Sequence, residues 1–272
     1  MSDPTPTTPD PRPDADADSR DEVRDEVRYE VRYEVRDGVA LLTLDAPERR
    51  NALSVPMSRQ LIDAARTAEA DPGVGAVVVT GGAHFCAGAV RSVLADTGRD
   101  PVEDDAYRNL ETVYAAFTTV GSIGVPTIAA VRGAAVGAGL NLALATDLRI
   151  VSRTARLLPG FAQIGIHPGG GHFTLLHRAA GREAAAALGL FGEEVDGERA
   201  VALGLAWAAY DDGEVQERAL ALAARVAADP PLARRTVASF RRETAPGGVP
   251  WDVAVELERS PQMWSLRRKH GA

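Results

Sequence analysis

Two stretches of this chain have the residue types needed to bind a negatively charged oxygen through main-chain atoms. The first is His84-Phe85-Cys86-Ala87-Gly88-Ala89. The second is Val131-Arg132-Gly133-Ala134-Ala135-Val136-Gly137-Ala138-Gly139-Leu140-Asn141. Each follows an apolar run rich in β-branched residues, Ala76–Thr80 and 126–131, which reads as a strand, and each leads into a segment with helical periodicity. A turn of small residues between strand and helix leaves backbone N–H groups unpaired and aimed outward. Two such groups converging on one point would stabilise an enolate or a thioester oxyanion. The same small residues also suit tight strand–helix turns.

The elements that must position these loops alternate. Val39–Leu44, 74–80, Thr127–Val131 and 148–151 read as strands. Segments 56–70, 104–119, 139–146, 181–190, 197–204 and much of 214–228 have helical spacing. This alternation predicts an α/β fold. Residues 230–272 contain no convincing strand, so helices projecting from the core are expected there.

Residues 1–20 are rich in Pro, Asp, Thr and Ser and are expected to be disordered. A tetrapeptide repeat follows: Asp21-Glu22-Val23-Arg24, Asp25-Glu26-Val27-Arg28, Tyr29-Glu30-Val31-Arg32 and Tyr33-Glu34-Val35-Arg36. Only the last copy runs directly into Asp37-Gly38 and the next apolar run, so it reads as the first strand, with a turn at Asp37-Gly38. The earlier copies read as a solvated charged arm or, alternatively, as an oligomerisation helix. The division expected is an N-terminal arm over 1–28, a core over 29–210 and a helical region over 211–272.

The composition excludes several classes. The chain has 272 residues, 45% of them hydrophobic, enough for a substantial core. A formal net charge of −8 argues against nucleic acid and membrane surfaces as partners. Lys269 is the only lysine, and Cys86 the only cysteine, so no intrachain disulfide can form. No run approaches the length of a membrane span, and the acidic, proline-rich start is unlike a secretory signal. The cytoplasm is the expected compartment. Gly133–Gly139 lacks the G-x-G-x-x-G spacing, and Gly169-Gly170-Gly171 lacks the Lys-Ser/Thr of a phosphate loop.

Taken together, residues 29 to about 245 resemble the crotonase (enoyl-CoA hydratase/isomerase) superfamily. The pieces that carry the resemblance are Pro47-Glu48-Arg49-Arg50-Asn51-Ala52-Leu53, Ala76-Val77-Val78-Val79-Thr80-Gly81, Phe85 to Ala89, and Pro126 to Gly139. They continue with Ala145-Thr146-Asp147-Leu148-Arg149-Ile150, Gly165-Ile166-His167-Pro168-Gly169-Gly170-Gly171 and Gly204-Leu205-Ala206. The resemblance implies a spiral of ββα units with C-terminal helices that pack in a homotrimer or homohexamer. It also implies a bound acyl-CoA thioester, with CoA as part of the substrate, no further cofactor and no metal. By position it gives the oxyanion N–H groups to Ala89 and Ala138, with Ala87 beside them. The family commonly has glycine at the latter place, so the hole requires that Ala138 not need a positive φ.

The departures from the family pattern concern proton transfer. The two glutamates that hydratases of the family place around the substrate water fall here on Asn141 and Phe161, neither of which carries a proton at neutral pH. An aspartate found in other members falls on Gly169, and the residue after the first oxyanion position is Val90. His167 and His172 flank Pro168–Gly171 and are candidates for acid–base work. Tyr114 and Phe161 are candidate pocket residues, and Arg49 and Arg50 candidates for the CoA phosphates. His84 is expected at the surface, Cys86 to be unreactive, and Asp147 to tie the short helix to the next strand. Two functions remain open: an acyl-CoA lyase or isomerase acting through an enolate, or a non-catalytic acyl-CoA carrier or sensor.

Overall fold

The computed structural model describes Met1 and residues 29–99 and 103–271. The arm expected over 1–28 therefore lies, apart from Met1, outside the described residues. In chain order the elements are β1 (Val31–Arg36), β2 (Val39–Leu44), α1 (Val55–Ala70), β3 (Ala76–Thr80), α2 (Arg91–Arg99), α3 (Asp104–Ser122), β4 (Thr127–Val131), β5 (Ala134–Val136) and α4 (Ala138–Ala145). They continue with β6 (Leu148–Ser152), β7 (Arg156–Leu158), α5 (His172–Gly189), α6 (Gly197–Ala202), β8 (Ala208–Tyr210), α7 (Val215–Ala227), α8 (Pro230–Glu243) and α9 (Trp251–Lys269).

The α/β class expected from the alternation is the one observed. Six strands form one sheet in the order β1-β2-β3-β4-β6-β8. β1 is antiparallel to β2, and the other pairs are parallel. The β1–β2 hairpin turns on Asp37 and Gly38, with φ of 50° and 77°, the conformation that a two-residue hairpin loop of matching twist requires. β1 starts at Val31, two residues before the last repeat copy, because Val31 pairs with Leu44 and Arg32 with Thr43. The ladder continues as far as β2 offers partners.

A second, smaller layer crosses each turn of the chain. After β2, Leu53 bridges to Ala89; after β3, Cys86 bridges to Ala135; β5 and β7 pair in parallel. Each turn thus runs from a long strand to a short second-layer strand or bridge and then to a helix. This is the expected spiral of ββα units. The strand–helix connections at 84–90 and 132–138 belong to successive turns, and so they lie side by side.

Apolar residues alternate between two cores. Leu42, Val77, Val79, Ala129 and Val151 face the helices and the second layer. Leu41, Ala76, Val78, Ile128 and Ile150 face α7, which offers Val215, Ala219, Ala223 and Ala227. All five residues of β3 and of β4 are buried, the pattern of central parallel strands covered on both faces. α7 lies close against the sheet: a Cβ at Gly75 would stand 2.7 Å from the Ala227 carbonyl oxygen. α8 buries Ala233 and Val237, whereas α9 buries no residue. No described helix is long and apolar enough to cross a membrane.

Candidate active site

Main-chain hydrogen bonds hold the two loops in register. Phe85 N–H donates to Arg132 O (2.8 Å), Cys86 N–H to Ala134 O (3.0 Å), and Val136 N–H to Cys86 O (3.0 Å). On its other side the first loop is pinned by Leu53 N–H to Gly88 O (2.7 Å) and Val90 N–H to Leu53 O (3.0 Å). Two glycines make the approach possible. Gly88 has φ 98°, and a Cβ there would stand 2.9 Å from Val136 O. Gly137, at φ 52° and ψ −113°, reverses the chain just before α4.

Ala89 and Ala138 therefore line one cleft, of about 340 Å³. Ala138 is the first residue of α4 and is absent from the positive-φ residues, so its methyl group meets the condition set by the sequence. Its N–H, like others in the first turn of a helix, has no intrahelical acceptor. Among the described residues, neither the Ala89 nor the Ala138 N–H has a hydrogen-bond partner. Ala87 also lines the cleft, but its N–H is taken by Arg50 O at 3.0 Å.

The walls come from α2, α3, β5 and the segment 159–169. Leu94, Leu110, Val113, Phe161, Ile164 and Ile166 make them largely apolar. Arg91 and Leu94 of α2 line the cleft although the sequence reading assigned no element to 91–99. Among the described lining residues there is no aspartate or glutamate. The described residues also contain no group of His, Cys, Asp and Glu that could hold a metal ion.

The structure separates the two candidate histidines. His172 opens α5 and is buried at 2% exposure. Asn141 Nδ2 donates to Gly169 O at 3.0 Å, so its Oδ1 is the atom facing His172 and accepts the Nδ1–H at 2.7 Å. The His172 Nε2 then carries a lone pair, sealed from solvent and without a partner among the described residues. The Phe161 ring stands edge-on to the imidazole at 4.9 Å. Burial lowers the His172 pKa from its ordinary value to about 4, so the ring is neutral at physiological pH. His172 does not line the cleft. His167 does: its ring is exposed, and its Nδ1 lies 2.6 Å from Pro168 O. A carbonyl only accepts, so Nδ1 carries the hydrogen and Nε2 the lone pair in the neutral ring.

Asn141 and Phe161 both reach the cleft, and Asn141 is 1% exposed. Tyr114 projects from α3, and burial raises its pKa. Its hydroxyl occupies the space above Gly169, where a Cβ would stand 2.1 Å from the oxygen. A carboxylate side chain at 169 would collide with this tyrosine.

Other expected residues do not line the cleft. Arg49 is not at the cleft: Nη2 pairs with Glu30 at 2.6 Å, Nη1 with Glu48 at 3.1 Å, and Nε donates to Ala52 O at 2.9 Å. Arg50 is exposed in the left-handed region, φ 52°. Cys86 is fully buried, which pushes its thiol up to about 12. Asp147 Oδ2 accepts from Thr127 N–H (2.9 Å) and Thr127 Oγ1 (2.8 Å) and pairs with Arg241 of α8 at 2.9 Å. His84 is not a free surface residue: it is half-buried, with Nδ1 sealed, because Gly133 of the neighbouring turn packs against it.

Asn51 is the functional support that motif reading named without assigning a role. It is 2% exposed, with φ 56°, a region asparagine tolerates. Its Oδ1 accepts from Ala46 N–H at 2.8 Å, while Nδ2 donates to Gly81 O and His84 O at 2.6 Å each. It thereby ties the 47–53 loop to the start of the first site loop. An asparagine between a charged loop and an apolar helix was the available signal.

Ala89 and Ala138, whose N–H groups have no partner among the described residues, thus line one largely apolar cleft. The family model described as enoyl-CoA hydratase/isomerase matches residues 34–248. A probable enoyl-CoA hydratase of Mycobacterium tuberculosis is 46% identical over 234 residues, covering 84% of this chain and 89% of that protein. The 1,2-epoxyphenylacetyl-CoA isomerase of Escherichia coli is 33% identical over 233 residues, covering 83% and 86%. The crystal structure of an enoyl-CoA hydratase from Polaromonas sp. JS666 superposes with a TM-score of 0.79 at 28% identity, covering 89% of this chain and 93% of that one.

Proposed function

The chain belongs to the enoyl-CoA hydratase/isomerase family, and from that premise we propose that it is a lyase or isomerase acting on a CoA thioester through an enolate. The observation that carries this reading is the pair of unpartnered N–H groups, Ala89 and Ala138, in one apolar cleft. Both donate to the thioester oxygen and hold the charge that develops there on enolisation. Such preorganised donors are worth most where charge appears and water is excluded. The acyl group lies along Leu94, Leu110 and Val113, with the Phe161 ring in place of a second polar group. Arg50, exposed and bonded through its carbonyl to Ala87 N–H, is proposed as the cation that meets the CoA phosphates; Arg49 is already engaged by Glu30.

The cleft has no carboxylate among its described lining residues, which supports the loss of both hydratase glutamates, at Asn141 and Phe161. Hydration of crotonyl-CoA is therefore expected at least about a thousandfold below a two-glutamate relative, since each acid–base group contributes typically about 10²–10⁴-fold. The same observation favours a second reading, an acyl-CoA carrier or sensor. The assembly is proposed as a homotrimer or homohexamer, with the cytoplasm as its compartment.

Calorimetric titration with acyl-CoAs of graded chain length, followed by turnover assays on the same panel, tests these readings. Binding with turnover supports the enzyme, binding without turnover supports the carrier, and no binding by any acyl-CoA rejects both.

A further inference from the structure

Resting on the acyl-CoA reading, we propose that His167 is the catalytic residue that removes and returns the α-proton of the bound thioester. The assignment comes from the shape of the cleft and the tautomer of the ring. His167 lines the same cavity as Ala89 and Ala138. The Pro168 carbonyl, 2.6 Å from Nδ1, fixes the hydrogen on that nitrogen and leaves the Nε2 lone pair as a base.

Among the described residues, the other candidates are occupied, sealed or unable to take a proton. His172 lies behind Asn141 and Phe161 and does not reach the cavity. Asn141 has its oxygen on His172 and an amide hydrogen on Gly169 O. Cys86 is buried and stays a thiol. Tyr114 is held as the phenol by burial and offers a proton rather than taking one. Arg91 carries a permanent charge.

In the forward step the α-carbon–hydrogen bond breaks and the proton passes to Nε2. Its electron pair moves into the thioester, leaving an enolate oxygen on the two N–H groups. The imidazolium keeps its Nδ1–H on Pro168 O, and the reverse step returns the proton to carbon. Substrate and side chain supply every atom and electron, so no further reactant is needed. Returning the proton to a different carbon of an unsaturated acyl chain gives a double-bond shift. The chemical class of substrate is therefore an acyl-CoA with a removable α-proton.

The test uses butyryl-CoA in D₂O, which has no double bond to hydrate. Deuterium at the α-carbon is followed by proton NMR, and binding is measured in parallel by calorimetry. Wild type is expected to exchange. His167→Ala and His167→Gln are expected to bind within about threefold of wild type, while exchange falls about 10²–10⁴-fold, the usual contribution of a general base. Free imidazole should restore part of the exchange in His167→Ala, which a merely structural role would not allow. If wild type binds without exchanging, or if either variant exchanges at the wild-type rate, the proposal fails and the acyl-CoA reading stands. If wild type does not bind, both fail.

Discussion

The buried neutral state of His172 makes the stability of the fold depend on pH in a defined window. In the unfolded chain the imidazole titrates at about 6.5. In the native structure burial lowers that value to about 4. Between these values the unfolded chain binds a proton that the native chain refuses, so acidification draws molecules toward the unfolded state. The contribution is present in full above about pH 6.5 and is lost progressively as pH falls toward about 4. Each pH unit in the window is worth about 1.4 kcal/mol for one proton, so the full loss is about 3 kcal/mol. That is a large fraction of the roughly 5–15 kcal/mol that ordinary domains possess. The perturbation is His172→Gln, which removes the titration and keeps an amide donor for Asn141 Oδ1. Urea unfolding at pH 7 and pH 4.5 gives the stabilities of both proteins. Carboxylates titrating near pH 4 contribute equally to each, so the difference between the two pH dependences isolates the histidine. Wild type should lose more than the variant, by about 2 kcal/mol over that interval. Equal losses, or a His172 imidazole carbon resonance, assigned by its absence from His172→Gln, that titrates near the ordinary value of about 6.5 in the folded protein, would refute the reasoning.

Three further outcomes are expected. Ala138→Gly should leave acyl-CoA binding and turnover close to wild type, because it removes no donor, whereas Ala138→Val places a branched side chain at the cleft floor; a loss of about 10²–10³-fold in turnover is the scale of one oxyanion donor, and a thermal melt separates this from misfolding. Asn51→Ala removes three hydrogen bonds, two of them buried, from a left-handed position, and chemical denaturation should show a cost of about 3 kcal/mol, from about 1 kcal/mol for each bond. Cys86 should resist iodoacetamide in the native protein and react only on unfolding, as followed by mass spectrometry, since the fully buried group stays a thiol up to about pH 12.

The sequence made the long, periodic elements legible. The strands at Val39–Leu44 and Thr127–Val131 fall where the apolar runs placed them, and α1 starts one residue before the helix expected at 56. The three-residue strands β5, β7 and β8 were not foreseen, because three residues are too few to display a period. α5 was expected only from Gly181. It begins at His172 and breaks at Gly181, where φ 77° and ψ 179° interrupt two helical pieces. The loop pairing that forms the cleft was legible because it depends on small residues at fixed spacing. The difference between His167 and His172 was not: five residues apart around three glycines, they have the same chemistry until the fold buries one and exposes the other. Likewise, Arg49 and Arg50 are adjacent and identical in type, but only Arg49 faces Glu30.

The contact between the two site loops is made by backbone against backbone, with glycines as the spacers. A Cβ at Gly139 would stand 2.2 Å from Cys86 O, and one at Gly133 would stand 2.3 Å from Ala83 O. Side-chain replacement elsewhere in the cleft leaves those atoms where they are. The cleft therefore divides into a frame written in glycine space and a set of tenants, at positions 114, 141, 161, 167 and 169, that take no part in the close contacts at Gly133 and Gly139. For protein engineering this makes the fold a socket: an acid or base can be tried at one of these positions or another without touching the glycine contacts. The limit is set by neighbours among the tenants, as at 169, where any side chain must first displace the Tyr114 hydroxyl. New chemistry installed there has to be introduced as a pair of substitutions, with the tyrosine yielding before the glycine is replaced.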